Sequence, residues 1–334
     1  MRILFLGDDW VGSNARSMAD GFREAGHDVL VIDTTPVALP GRLTPPWVYA
    51  KLGRGRAPWV LADLHRRIDA AARDFRPDML FCFRTVHLDQ DRLLALPAAV
   101  RVHYSPDDVA NPYNTTPEYL RRERDWDLVI TTKEHNVPEL AERGARETLF
   151  VLSAYDPAWH RPTARRSPQE FTVGFVGACR PDRRDFVTDL ARIHGARMAV
   201  LGPGWRRVPA LRATSAHLGG AVYGEEFSNA VASIGANLVL LNSDNRDTHT
   251  CRTFEVPAAG GLFVGERTHE HARLLDDGTE CRLFSTPEEL AEILAWAETE
   301  PDKARDMAER GRVRIVADGH AYVDRAREIT AAIR

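Results

Sequence analysis

The sequence predicts an α/β protein made of two doubly wound units. Three observations carry that prediction. Short apolar runs alternate with amphipathic stretches almost from end to end, and the alternation restarts near residue 171. Between the halves lies a stretch rich in proline and arginine, residues 156–168, with no apolar period. A length of 334 residues agrees, because one core rarely serves more than roughly 250 residues. The expected boundaries are 1–156 for an N-terminal Rossmann-like domain and 170–334 for a C-terminal one, with the last helix free to pack back on the first.

In the first half the strand candidates are 3–6, 28–32, 79–83, 100–104, 128–131 and 148–152, brief and apolar as buried parallel strands are. Met18, Ala19, Phe22 and Ala25 form the inner face of a helix that stops at Gly26. Leu61, Leu64, Ile68, Ala71 and Phe75 mark another, closed before Pro77. In the second half 171–176, 198–201, 236–241 and 262–264 read as strands. Phe227, Ala230, Val231 and Ile234 make a helical stripe between two of them. Thr286-Pro287-Glu288-Glu289 is a capping box with proline at the first helical position. Residues 302–334 read as two helices broken near Asp318-Gly319. The irregular stretch 34–58, with five prolines and Trp47, is expected to be a long functional loop, since connections of that length usually lie over a site.

Composition removes several function classes. Lys+Arg 44 against Asp+Glu 48 gives a net charge of −4, split almost evenly between the halves, so a charged face for duplex nucleic acid is not expected. No apolar run reaches the ~18 residues that span a bilayer. Asp8 and Asp9 interrupt the N-terminal apolar run too early for a secretory signal. Cys82, Cys179, Cys251 and Cys281 are far apart, which supports neither a disulfide framework nor a zinc site and suits the cytoplasm.

Three strand-end loops carry candidate chemistry. The first, from Gly7 through Asp8, Asp9 and Trp10 to Gly12 and Ser13, lacks the glycine fingerprint of dinucleotide sites, and its two carboxylates would repel a phosphate. It suits a polar acceptor, or only a helix cap by Ser13. The second, Gly177 to Arg184, joins a strand-end glycine to three arginines and a helix start, an anion site by charge and geometry together. Arg180 is the first choice for diphosphate contact and Arg184 the second. The third runs from Asn242 to Gly261. Pro257 is tolerated only near a first turn, so Glu255 should stand at or just before one, where its carboxylate could accept bonds from a sugar's vicinal hydroxyls or merely cap the helix.

The run from Arg252 through Glu255, Pro257 and Gly260-Gly261 to Val264, with the helices after Thr286, resembles the CgeB-type branch of GT-B glycosyltransferases. Phe175-Val176-Gly177 before Arg180–Arg184, and Leu201-Gly202-Pro203-Gly204-Trp205, resemble the same branch, so the likeness covers most of 171–332. In the first half it rests on rhythm and on His103-Tyr104-Ser105-Pro106-Asp107-Asp108. The resemblance implies the GT-B fold, two Rossmann-like domains facing each other across a cleft. It also implies a nucleoside-diphosphate sugar, UDP first among the bases, held by the second domain, an acceptor of unknown identity entering from the first, and no metal cofactor. Retaining relatives carry two glutamates eight positions apart; here Glu255 matches the second and Asp247 stands for the first, one methylene shorter. Tyr223-Gly224 is then the expected base contact, Arg252 belongs to the donor site, and His103 faces the cleft to orient donor hydroxyls. Asp107 or Asp108 would be the general base if the reaction inverts.

Weaker signals are read blandly. His269-Glu270-His271 is expected on a helix surface, Asp125-Trp126-Asp127 as a turn, and Arg161 with Arg165-Arg166 as a solvated run. The resulting expectation is a metal-independent, retaining glycosyltransferase. The competing readings are a nucleotide-sugar epimerase of the same build and an inactive nucleotide-sugar-binding partner subunit. Oligomeric state is not legible.

Overall fold

The structure is a computed structural model that describes residues 1–163 and 169–333. The chain divides into two compact units, Met1–Leu152 with Tyr322–Arg334, and Ser153–Ala321. The division thus falls after Leu152, and residues 156–163 of the expected linker belong to the second unit. Residues 164–168, Arg165 and Arg166 among them, lie outside the described residues.

The first unit is built on six parallel strands: β1 (Arg2–Gly7), β2 (Asp28–Asp33), β3 (Met79–Phe83), β4 (Val100–Ser105), β5 (Leu128–Thr131) and β6 (Thr148–Phe150), in the order β2-β1-β3-β4-β5-β6. Leu6 pairs with Ile32 on one side and Cys82 on the other. The central strands are apolar on both faces because both faces are covered. Leu4, Leu6, Leu80 and Cys82 join Leu64 and Ile68 of helix Pro58–Phe75 in one core. On the opposite face Phe22 meets Phe81 edge to face at 5.0 Å, and Phe5 stacks on Phe81 at 5.1 Å. Helix Asn14–Glu24 supplies Phe22, is capped by Ser13, and packs against the last helix, Tyr322–Ala332. Burying each such ring stabilises by roughly 2–3 kcal/mol.

The second unit repeats the plan with β7 (Phe171–Val176), β8 (Met198–Leu201), β9 (His217–Gly219), β10 (Ile234–Val239), β11 (Leu262–Glu266) and β12 (Arg282–Phe284), in the order β12-β11-β10-β7-β8-β9. β9 and β12, absent from the sequence reading, are three-residue edge strands, too short to show a period. Helix Pro287–Thr299 buries Leu290, Ile293, Leu294 and Ala297. Thr286 accepts from the Glu289 N–H at 3.2 Å, and the Glu289 carboxylate reaches back to the Ser285 N–H at 2.6 Å.

In each sheet the winding reverses once. The reversal lies between β1 and β3 in the first unit and between β7 and β10 in the second. Beyond the carboxyl ends of such a strand pair the following chain departs in opposite directions, which opens a crevice. The two places are the Asp8 loop and the Gly177 loop.

Candidate functional site

The crevice of the second unit is a hollow of about 230 Å³. Its lining includes the ends of β7 and β10, Val176, Gly177, Leu240 and Asn242, together with Arg183, Thr250, Cys251 and Arg252. The Gly177 loop is held rigidly from behind. Buried Trp205 donates its indole N–H to the Gly177 carbonyl at 2.8 Å, and the Cys179 N–H donates to the Pro203 carbonyl at 2.9 Å. Gly202 makes this possible: its φ is +148°, and a Cβ there would stand 2.0 Å from the Gly177 oxygen.

The arginines of this loop part company. Helix Pro181–His194 starts after Arg180, whose guanidinium pairs with Asp244. Arg183, the third residue of that helix, donates to the Asn242 side chain and to the Leu240 carbonyl at 3.2 Å, across the crevice mouth. Arg184 points elsewhere, lining a different hollow with Thr188, Arg192 and Arg207. Arg180 and Arg184 are the arginines expected from the sequence; in the structure Arg183, not Arg184, lines the hollow, because consecutive helical residues lie ~100° apart.

Asp247 organises its own loop. One carboxylate oxygen accepts from Asn242 N–H at 3.2 Å and Asn242 Nδ2 at 2.6 Å, and the other from Asn245 Nδ2 at 2.9 Å. It thereby sets Asn242, the partner of Arg183. Both oxygens of Asp247, the residue expected to stand near the transferred sugar, are thus engaged within its own loop.

Glu255 does stand in the first turn of a helix, Arg252–Ala258, and it is buried. Arg252 pairs with its Oε2, donates to the Val176 carbonyl at 3.1 Å and lays its guanidinium over the Phe227 ring at 4.4 Å. His160 Nε2 lies 3.7 Å from Glu255 Oε1. The Asp156 N–H donates to His160 Nδ1 at 2.9 Å, so the neutral ring carries its proton on Nε2, toward Glu255. Burial holds His160 below the usual imidazole range, Glu255 pulling it up and Arg252 pushing it down. Sequence reasoning assigned His160 to a linker; an aromatic pair, Trp159-His160, inside a proline-rich stretch was the available signal.

Gly224, at φ +56°, meets Trp159: the nearest ring atom would be 3.2 Å from a Cβ. Ser228 also donates to the Trp159 carbonyl at 2.7 Å. Gly224 is therefore covered by an indole, while Tyr223 beside it is exposed.

In the first unit the Asp8 loop lies at the switch between β1 and β3. Thr34 donates to Asp8 at 2.7 Å, and the Asp9 N–H donates to Asp33 at 3.0 Å and to Thr35 at 3.2 Å. Trp10 is half-buried, and Gly12, exposed at φ +98°, turns the chain toward the Ser13 cap. Two expectations fail here. His103 does not reach a surface: it is wholly buried, 4.4 Å from the Tyr119 ring and 5.4 Å from Trp126, and neither nitrogen has a partner. Burial drives its pKa down to about 3. The alternation of side chains along β4 turns it inward while its strand neighbours face the other way. Asp108 is also buried, accepting from Asn136 Nδ2 and from the Ala110 N–H, both at 2.9 Å, so it orders its turn. Beside it, Asp107 pairs with Arg84 at 3.2 Å. Arg84 follows β3 at φ +55° and was not singled out in the sequence.

The weaker motifs also resolve. Glu270 and His271 are buried, contrary to the surface reading. The Ser153 N–H donates to His249 Nε2 at 3.0 Å, leaving His249 Nδ1–H for Glu270 at 2.5 Å. Desolvation would raise Glu270, but the His249 and Thr248 bonds hold it down to about 2. Asp127 accepts from the Arg101 N–H at 2.9 Å and pairs with Arg146 at 3.3 Å, a tether at the start of β5 beside buried Trp126.

Comparison with known proteins bears on the fold. Residues 180–331 match the family model described as glycosyl transferase-like. No curated protein matches the sequence. Among solved structures, HepE from Anabaena in complex with UDP-glucose is similar at 13% identity and TM-score 0.70, covering 100% of this chain and 99% of that one. The sucrose-phosphate synthase of Thermosynechococcus elongatus gives 11% identity and TM-score 0.68 over 100% and 98% of the two chains. A glycosyltransferase from Rickettsia africae gives 11% and 0.66 over 99% and 97%. The fold is GT-B.

Proposed function

We propose that the protein is a glycosyltransferase that binds a nucleoside-diphosphate sugar, UDP-linked first, on its second unit and moves the sugar to an acceptor hydroxyl. The observation that carries this reading is the hollow at the β7/β10 switch, where Gly177, Arg183 and Arg252 meet beside buried Glu255. Support comes from the glycosyl transferase-like match across that unit and from the neighbour solved with UDP-glucose. The likeness of the Arg252–Val264 run to the CgeB-type branch fits the same reading.

In this proposal the acceptor hydroxyl oxygen bonds to the sugar's anomeric carbon as the bond from that carbon to the diphosphate oxygen breaks; the hydroxyl proton passes to the departing diphosphate, on which negative charge builds. Arg183, Arg180 once exchanged from Asp244, and the first-turn N–H groups of helix Pro181–His194 are placed to take that charge. Cations and a helix end supply what a metal would otherwise supply, so we read the reaction as metal-independent. Glu255, oriented by Arg252 and His160, accepts from ribose hydroxyls. The Asp8–Gly12 loop is the proposed acceptor side, and retention of configuration is the proposed outcome. Four cysteines without a disulfide support a reducing, cytoplasmic compartment.

A thermal-shift screen against UDP, GDP, dTDP and their sugars tests the reading. A ligand at a hundred times its Kd should add about 2.7 kcal/mol of stability. No stabilisation by any nucleotide, or undiminished sugar transfer by Glu255→Ala and Arg252→Ala, would overturn it.

A further inference from the structure

Residues 34–62, the proline-rich stretch 34–58 and the first turn of the helix after it, belong to the first unit and supply no residue to the lining of the β7/β10 hollow. They contain no acidic residue between Asp33 and Asp63 and four cations, Arg42, Lys51, Arg54 and Arg56, all exposed. They also hold five of the thirteen large apolar side chains exposed among the described residues: Leu39 59%, Leu43 73%, Val48 43%, Leu52 66% and Trp59 51%. Such side chains scattered singly are ordinary, but a concentration in one short segment marks a contact surface.

The segment is folded into one patch. Val37 and Ala57 anchor its two ends in the protein. Pro36–Ala38, Pro46, Ala50 and Arg56–Ala57 close around a shared hollow of about 220 Å³. Tyr49 and Trp59 meet edge to face at 5.2 Å, Arg54 lies over Tyr49 at 5.8 Å, and Lys51 over Trp47 at 5.7 Å. Cations and aromatic rings thus alternate across the surface, with leucines at the exposed positions between them.

We propose that this patch is a peripheral docking surface for an anionic lipid membrane. Leucine tips reach below the headgroups, tryptophan and tyrosine sit at headgroup level, and the cations meet lipid phosphates. Charge selects this occupant. A second copy of the chain would bring four cations against four with no acid between them, and nucleic acid would leave the leucines in water. Each cation close to an anionic leaflet strengthens binding by about fivefold.

The test is co-sedimentation of the full chain, without nucleotide, with vesicles of phosphatidylcholine alone or with about 30% phosphatidylglycerol, at about 0.15 M salt. Binding to the anionic vesicles should exceed binding to neutral ones by about 25-fold or more, the contribution of two or more of the four cations. Lys51→Glu with Arg54→Glu, and separately Leu43→Ser with Leu52→Ser, should each weaken it by about tenfold or more while leaving the melting temperature unchanged. Ile193→Ser, exposed in the second unit, should bind like the parent. Equal binding to both vesicle types, parental binding by both double variants, or a concentration-dependent dimer abolished by those variants would overturn the proposal. Because no nucleotide is present, the outcome is independent of the glycosyl-transfer reading.

Discussion

His160 Nε2 stands 3.7 Å from Glu255 Oε1, on the opposite side of that carboxylate from Arg252. The histidine belongs to a stretch between two sheets, and the glutamate to the first turn of a helix almost a hundred residues later. The Asp156 N–H fixes the ring's tautomer, and Phe227 packs edge to face against it at 5.2 Å. Glu255 is thus held from two sides by groups that do not compete for the same oxygen.

Removing this support should loosen the donor more than the chemistry. His160→Ala is expected to raise the donor KM by about tenfold, near 1.4 kcal/mol, with a much smaller change in kcat. His160→Gln, which keeps a donor at the far end, should recover part of the loss. Donor titrations of the three proteins check this. Equal falls in kcat and kcat/KM would instead place His160 at the reacting atoms.

The two neighbouring arginines should differ sharply. Arg183→Ala is expected to weaken UDP binding by about tenfold to a hundredfold, the range for a lost charge-assisted hydrogen bond. Arg184→Ala, on the other face of the helix, should stay within about twofold. Calorimetric titration with UDP distinguishes them. A larger effect at Arg184 would return the site to the assignment made from sequence.

Gly202→Ala should destabilise by about 3 kcal/mol or more, since a Cβ would collide with the Gly177 oxygen and the backbone conformation disfavours any side chain. Urea denaturation measures the loss. The displaced Gly177 loop should also lose UDP binding in whatever protein remains folded.

Acid should weaken the first unit through His103 and His87, whose imidazoles desolvation keeps neutral. Burial brings His103 to about 3, and burial with Arg56, Arg84 and His65 brings His87 to about 3, against an unfolded value near 6.5. Between those values only the unfolded state takes up the protons, so stability falls as pH falls, by up to about 1.4 kcal/mol per pH unit for each histidine. His103→Leu removes one proton and leaves no lost hydrogen bond, because neither ring nitrogen has a partner. Its stability curve from pH 6 to pH 4 should be shallower by that amount, measured by urea denaturation at each pH.

The sequence by itself determined the architecture. A strand buried on both faces must be apolar along its whole length, as β3 and β10 are, and such runs cannot be hidden. It also located both switch-point loops, because a glycine with charged residues after a buried strand reads the same before and after folding. Edge strands of three residues, β9 and β12, carry no period and were missed.

Only the tertiary structure decided which side chains face the crevice. Arg183 and Arg184 are chemically alike, and one step of helix rotation separates them. His103 and Asp108 look reactive in a string of letters, but the alternation of β4 and the Asn136 bond take them inside. His160 looked like linker until the fold brought it to Glu255. Patterns along a chain report burial, which depends on each residue's own chemistry. A site depends on contacts between residues far apart in sequence, and those exist only once the backbone has closed around them.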